Sequence, residues 1–125
     1  MNADWNDRQP IYRQIRERVI VMILDGTLKA GDALPSVRVV AVESRVNHLT
    51  VLKAYQQLAD EGFVESRRGV GMFVRPDARR ALARDERERF LTQEWPKIWA
   101  TIERLGIKAD ELPGLASNEA VAANT

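Results

Sequence analysis

Apolar residues near the start of the chain recur at the spacing of one helix face. Ile11, Ile15, Val19, Met22 and Ile23 follow steps of three and four, while Arg13, Arg16 and Glu17 occupy the other side. This pattern predicts an amphipathic helix that begins at Pro10, where a missing N–H is tolerated, and stops before Gly26. The period then disappears in GTLKAGDALPS, where Gly26 and Gly31 can take positive φ and Leu28 and Leu34 can anchor an ordered loop. Ser36 is placed to cap a short second helix whose apolar face is Val37, Val40 and Ala41 and which ends near Ser44. After a tight joint, Arg45-Val46-Asn47, Asn47 can cap a third helix with Val51, Ala54, Tyr55 and Leu58 inward, closed by Gly62. Its first two turns leave His48, Leu49, Thr50, Leu52 and Lys53 outward, a face of donors, an acceptor and methyl groups.

The period changes from helical to alternating in FVESRRGVGMFV, where residues 63–67 and 72–74 read as two short strands around a turn holding Gly69 and Gly71. From Pro76 the charges alternate (Arg84, Asp85, Glu86, Arg87, Glu88, Arg89), as on an exposed helix with paired side chains. An apolar seam follows: Leu91, Trp95, Ile98, Ile102 and Leu105, with Trp99 one turn beyond Trp95. Pro96 removes a backbone donor inside that seam, so the pattern predicts two helices with a break near Trp95. After Gly106 the patterning is weak, and the final ten residues lack the apolar content to order themselves unaided.

Composition mostly removes possibilities. With 45% hydrophobic and 30% charged residues, 125 positions describe one modest globular domain and a small appendage. The formal net charge of +1 nominates neither nucleic acid nor an anionic membrane on its own. With no cysteine and only His48, disulfide scaffolding, Cys/His zinc sites and Ser-His or Cys-His catalysis are not expected. No paired carboxylates fall together in a pocket on the predicted elements, so the sequence reads as a non-enzyme without a cofactor or metal. The aliphatic run 19–24 is far too short to span a bilayer and the polar start is no signal peptide, which points to a cytoplasmic protein without a membrane partner.

Three helices, the last two joined by a short turn, followed at once by a glycine-tipped hairpin, form the order of a winged helix-turn-helix. The fold class expected is mainly α with a small β-hairpin, with residues 1–75 as the DNA-binding head and 76–125 as a short helical dimerisation region. PIYRQIRERVIVMILDGTLKAGDALPSVRVVA, followed by VNHLTVLKAYQQLADEGFVESRRGVGMFV, resembles the DNA-binding domain of GntR-type bacterial transcription regulators. The short helical tail is similar to that of the family's YtrA subfamily, since it leaves no room for a separate effector-binding domain. The resemblance implies DNA contacts from Ser36 and Arg38 at the start of the second helix, and from Asn47, His48, Leu49, Thr50 and Lys53 on the recognition helix. It implies minor-groove contacts from the wing residues Arg67, Arg68, Gly69 and Gly71. Two positions depart from the family pattern. Arg45 stands where glycine is usual in the turn, and Leu49 stands where a polar reader is common; a leucine can meet a thymine methyl but cannot hydrogen-bond a base.

The expected function is therefore a sequence-specific regulator, in the direction of a repressor, that binds a palindromic operator on double-stranded DNA as a homodimer. Leu91, Trp95, Ile98, Trp99, Ile102 and Leu105 are the expected dimer seam, because an apolar face of that length needs a partner. Trp95 and Trp99 can alternatively line a ligand pocket, and the sequence identifies no effector. The competing reading is a winged helix that binds protein and leaves DNA alone, since fold does not fix function. The argument for DNA rests on the placement of Arg38, Lys53, Arg67 and Arg68.

Overall fold

Helix α1 (Ile11–Leu24) starts one residue later than its sequence pattern suggests. Pro10 sits just outside it in an extended conformation, and its carbonyl accepts from the Arg13 and Gln14 N–H groups at 3.1 and 3.3 Å. The buried stripe is also rotated: Ile15, Val19, Ile20 and Ile23 are buried, Met22 is partly covered, and Ile11 lies on the surface. Gln14 joins that stripe as a buried polar group. Its amide donates to the carbonyls of Asn6 and Gln9 and its side-chain oxygen accepts from the Asn6 N–H, which ties the segment before α1 to the helix. These details come from a computed structural model that describes residues 5–116. The described residues divide into two compact units between Asp85 and Glu86.

In the first unit α1 packs on α3 (His48–Asp60), and α2 (Val37–Ser44) packs on α3 as well. Leu28 and Leu34 tuck the loop after α1 onto the core, and Gly26 and Gly31 take φ of 87° and 86°, as their positions in that loop require. Strands β1 (Val64–Arg67) and β2 (Gly71–Val74) pair antiparallel, with Val64 opposite Val74 and Arg67 opposite Gly71. The loop contributes a third partner: Ala33 bridges Phe73, the Leu34 N–H donates to Met72 O at 2.8 Å, and the Gly31 N–H donates to Val74 O at 2.9 Å. Helix α4 (Ala78–Arg89) begins as part of the same core, because Ala78 and Leu82 are buried in it. A head ending at residue 75 would lack both side chains.

The second unit departs from a simple pair of helices. Instead of a break, residues Phe90–Glu94 form a π-helical turn in which the Trp95 N–H donates to the carbonyl five residues back, on Phe90. α5 (Trp95–Arg104) then resumes with Pro96 as its second residue. Pro96 has no N–H for an α-helical partner and its ring would crowd the carbonyl four residues back, and a widened turn relieves both problems without leaving helical geometry. Past Gly106 there is more structure than the weak patterning suggests. A single 3₁₀ turn (Ala109–Glu111) is fixed by the Glu111 carboxylate accepting from the Lys108 N–H at 3.3 Å, and α6 (Leu112–Ala116) follows. The expectation of an unstructured end falls almost wholly on residues 117–125, outside the described residues.

Candidate nucleic-acid interface

The geometry of the α2–α3 corner is set by two caps and one unusual residue. Ser36 Oγ accepts from the Val39 N–H at 3.1 Å and Asn47 Oδ1 accepts from the Leu49 N–H at 2.9 Å, so each side chain satisfies one amide that its helix start would leave open. Between the helices Arg45 adopts φ 55° and ψ 46°, the left-handed region, and is the sole non-glycine with positive φ among the described residues. The Val46 N–H then closes back on Ala41 O at 3.1 Å. The departure at Arg45 is thus accommodated by strain in one residue, with the turn itself retained.

With Val51, Ala54, Tyr55 and Leu58 buried, α3 presents its other side to solvent. His48 and Arg38 line one open depression together with Val42 and Val46. On the opposite flank, Leu49, Leu52, Lys53 and Gln56 line a second depression with Tyr12 of α1. Lys53 does not project freely there: its Nζ lies 4.1 Å from the centre of the Tyr12 ring, a cation–π seat. Tyr12 Oη in turn accepts from Arg13 Nε at 3.4 Å, and that bond is the first cause lowering the phenol's pKa below its ordinary value. Thr50 is half-buried on the first turn, whereas Leu49 is 59% exposed and Leu52 42%.

The wing separates two arginines that are neighbours in sequence. Arg67 ends β1, with its guanidinium 4.1 Å from the Phe73 ring centre and 3.4 Å from Glu65, so it is held along the hairpin. Arg68 lies in the loop and is exposed. Gly69 and Gly71 take φ of 77° and 132°, conformations that side chains disfavour. Ser36, Arg67, Gly69 and Gly71 meet around a further depression between the start of α2 and the wing. The expected contact residues therefore fall around three depressions on α2, α3 and the hairpin, with Asn47, Thr50 and Arg68 lining none of the three. The sequence reading did not assign Tyr12, Phe73 or Glu65; the aromatic residues carried no signal beyond ordinary helix and strand positions, and only the pairing of elements brings them to the cations.

In the second unit, Leu91, Trp95, Ile98, Trp99 and Leu105 are exposed on the single chain, and Ile102 is already buried. Phe90 adds to the group, lying 6.4 Å from Trp95 by ring centres, and Trp95 lies 5.9 Å from Trp99.

A capped helix-turn-helix followed by a glycine-bent wing, with cations at α2, α3 and the hairpin, defines a winged helix-turn-helix DNA-binding protein. The model of the bacterial regulatory proteins of the gntR family matches residues 11–74. The chain belongs to the GntR family and is a DNA-binding transcription regulator. It is similar to the uncharacterized HTH-type transcriptional regulator YhcF of Bacillus subtilis, 36% identical over 113 residues that cover 90% of this chain and 91% of that one. It is also similar to the HTH-type transcriptional repressor YtrA of the same organism, 42% identical over 82 residues, 66% of this chain and 63% of the relative. Among solved structures, a GntR family transcriptional regulator from Listeria monocytogenes superposes with a TM-score of 0.71 at 28% identity, covering 91% of this chain and 98% of that one.

Proposed function

We propose that the protein is a repressor that reads a palindromic operator on double-stranded DNA as a homodimer, with α3 in the major groove and the wing tip at the adjacent minor groove. The observation that carries this reading is the outward face of α3. It holds exposed side chains at a helix start, flanked by Arg38 on one side and Lys53 on the other, where base edges and phosphates can be met together. Ser36 and Asn47 act by fixing the two helix starts; Arg38, His48, Thr50 and Lys53 supply polar contacts; Arg68 enters the groove from a loop that Gly69 and Gly71 allow close to the backbone. The direction, repression, follows the name of the YtrA relative. The dimer is supported by the exposed aromatics of the second unit, since Trp95 and Trp99 are large apolar surfaces of the kind that anchor interfaces. Such a protein acts in the cytoplasm, with no catalytic role and no cofactor.

Selection of bound fragments from random double-stranded DNA by the full chain tests the reading. An inverted repeat with half-sites about one helical turn apart is expected, together with a dimer by light scattering at micromolar concentration. Enrichment of no motif would leave a protein-binding winged helix. A motif without symmetry, or a monomer in solution, would remove the dimer.

A further inference from the structure

The flank of α3 that faces α1 holds an apolar pair on a surface otherwise suited to a polyanion. Leu49 and Leu52 are spaced so that both lie on one side of the helix, and they stay 59% and 42% exposed although the head has a filled core of its own. Lys53, which follows Leu52 in the chain, is turned to the Tyr12 ring, with Arg13 at the phenol oxygen. The two leucines are thereby left exposed on that flank beside Gln56, and the Lys53 ammonium is seated toward α1. At the margin Lys53 and Arg13 complement phosphate, while Asp60, which accepts from Gln56 at 3.2 Å, lines the depression at the last residue of α3. The apolar centre must meet something apolar, and in the major groove of a duplex the C5-methyl of thymine is the base feature of that kind.

We infer that Leu49 and Leu52 together form a reader of pyrimidine C5-methyl groups, with Tyr12 holding Lys53 aside from the base edge and toward the DNA backbone. This rests on the operator-binding reading above and names the chemistry of its specificity: at one or two positions of each half-site, thymine is selected by its methyl group. Hydrogen bonds from Arg38, His48 or Thr50 read other positions. Tyr12 is a positioning residue, acting through the Lys53 ammonium that it seats.

The experiment uses the full chain and the duplex recovered by selection. Each thymine is replaced singly by deoxyuridine, which lacks only the methyl. At the positions read by the pair, affinity is expected to fall about fourfold, equivalent to ~0.8 kcal/mol, the value of one buried methyl(ene) group. In Leu49→Ala and Leu52→Ala the thymine and deoxyuridine duplexes should bind alike at those positions, while both variants melt with the parent because the side chains are exposed. Tyr12→Leu should leave the methyl preference and alter the salt dependence of binding, which follows the placement of the Lys53 charge. If a motif is selected and every deoxyuridine duplex binds as tightly as its parent, the methyl reader is wrong and the operator-binding reading stands. If Leu49→Ala, Leu52→Ala double substitution keeps the thymine preference, other residues read the methyl and the assignment fails. If no duplex is selected and the same two substitutions abolish binding to a protein instead, both readings fall.

Discussion

Arg45 shows how a single residue can carry a turn that its chemistry does not favour. A side chain in the left-handed region costs about 1–2 kcal/mol, and glycine escapes that cost while losing more entropy on folding, so Arg45→Gly should stabilise the head by about 0.5–1 kcal/mol. Thermal melting of the two proteins measures it. Tyr55 illustrates the opposite case, a residue whose surroundings suit one protonation state. Its hydroxyl donates to Pro35 O at 2.6 Å, and burial pushes the phenol well above its ordinary pKa of 10.0. Because the folded pKa is raised, the contribution of the neutral phenol is full below pH 10 and is lost as the pH climbs above it, where the unfolded chain ionises first. Tyr55→Phe should cost about 1–2 kcal/mol at neutral pH through the unpaired Pro35 carbonyl. Its denaturation midpoint should then fall less steeply than the parent's above pH 10.

At the scale of elements, the wing holds its two arginines differently, Arg67 against Phe73 and Glu65 and Arg68 exposed in the loop. Arg68→Ala should lower operator affinity and reduce the slope of log affinity against log salt by about 0.9, with an unchanged melting temperature. Arg67→Ala should also reduce the melting temperature, since it releases the contact with Phe73 and Glu65, an exposed cation–π pair being worth about 0.5–1 kcal/mol. Titration of each variant at several salt concentrations, beside a melt, distinguishes them. The elements themselves were mostly legible in the sequence, because each carries a local signal: Ser36 and Asn47 as caps, the three-and-four spacing of Val51, Ala54, Tyr55 and Leu58, the glycines of the hairpin. What stayed hidden depends on long-range pairing. Nothing local marks Ala33 as a partner of Phe73, and Tyr12 meets Lys53 only once α1 lies against α3. The π turn was half visible: Pro96 announces a disturbance, but a kink, a break and a widened turn all satisfy the same missing donor.

For the molecule as a whole, the useful division lies further along the chain than composition suggests. Charge alternation begins right after Pro76, yet Ala78 and Leu82 are core residues of the head, and the two compact units part between Asp85 and Glu86. A fragment of residues 1–85 should unfold in one cooperative transition, whereas residues 1–75 should be less stable by roughly 2–3 kcal/mol, the value of one buried leucine and an alanine. Denaturant titration of both fragments decides this. The expected seam needs the same adjustment. Ile102 is buried within the single chain and Phe90 is exposed, so the exposed apolar surface of the second unit centres on the aromatics, where the proposed dimer would meet.

The bond between the Leu34 N–H and Met72, with those linking Gly31 and Asp32 to Val74, ties the loop after α1 to the foot of the two-stranded wing. A lone two-stranded hairpin is marginal in water, and this one is not alone. In deuterium exchange the amides of Leu34 and Val74 should therefore survive as long as those of the helical core, with Arg68 and Gly69 in the loop exchanging at once. Fixing one residue's backbone removes about 1–2 kcal/mol worth of freedom, and at the foot of the wing that cost is met when the chain folds and Ala33 bridges Phe73.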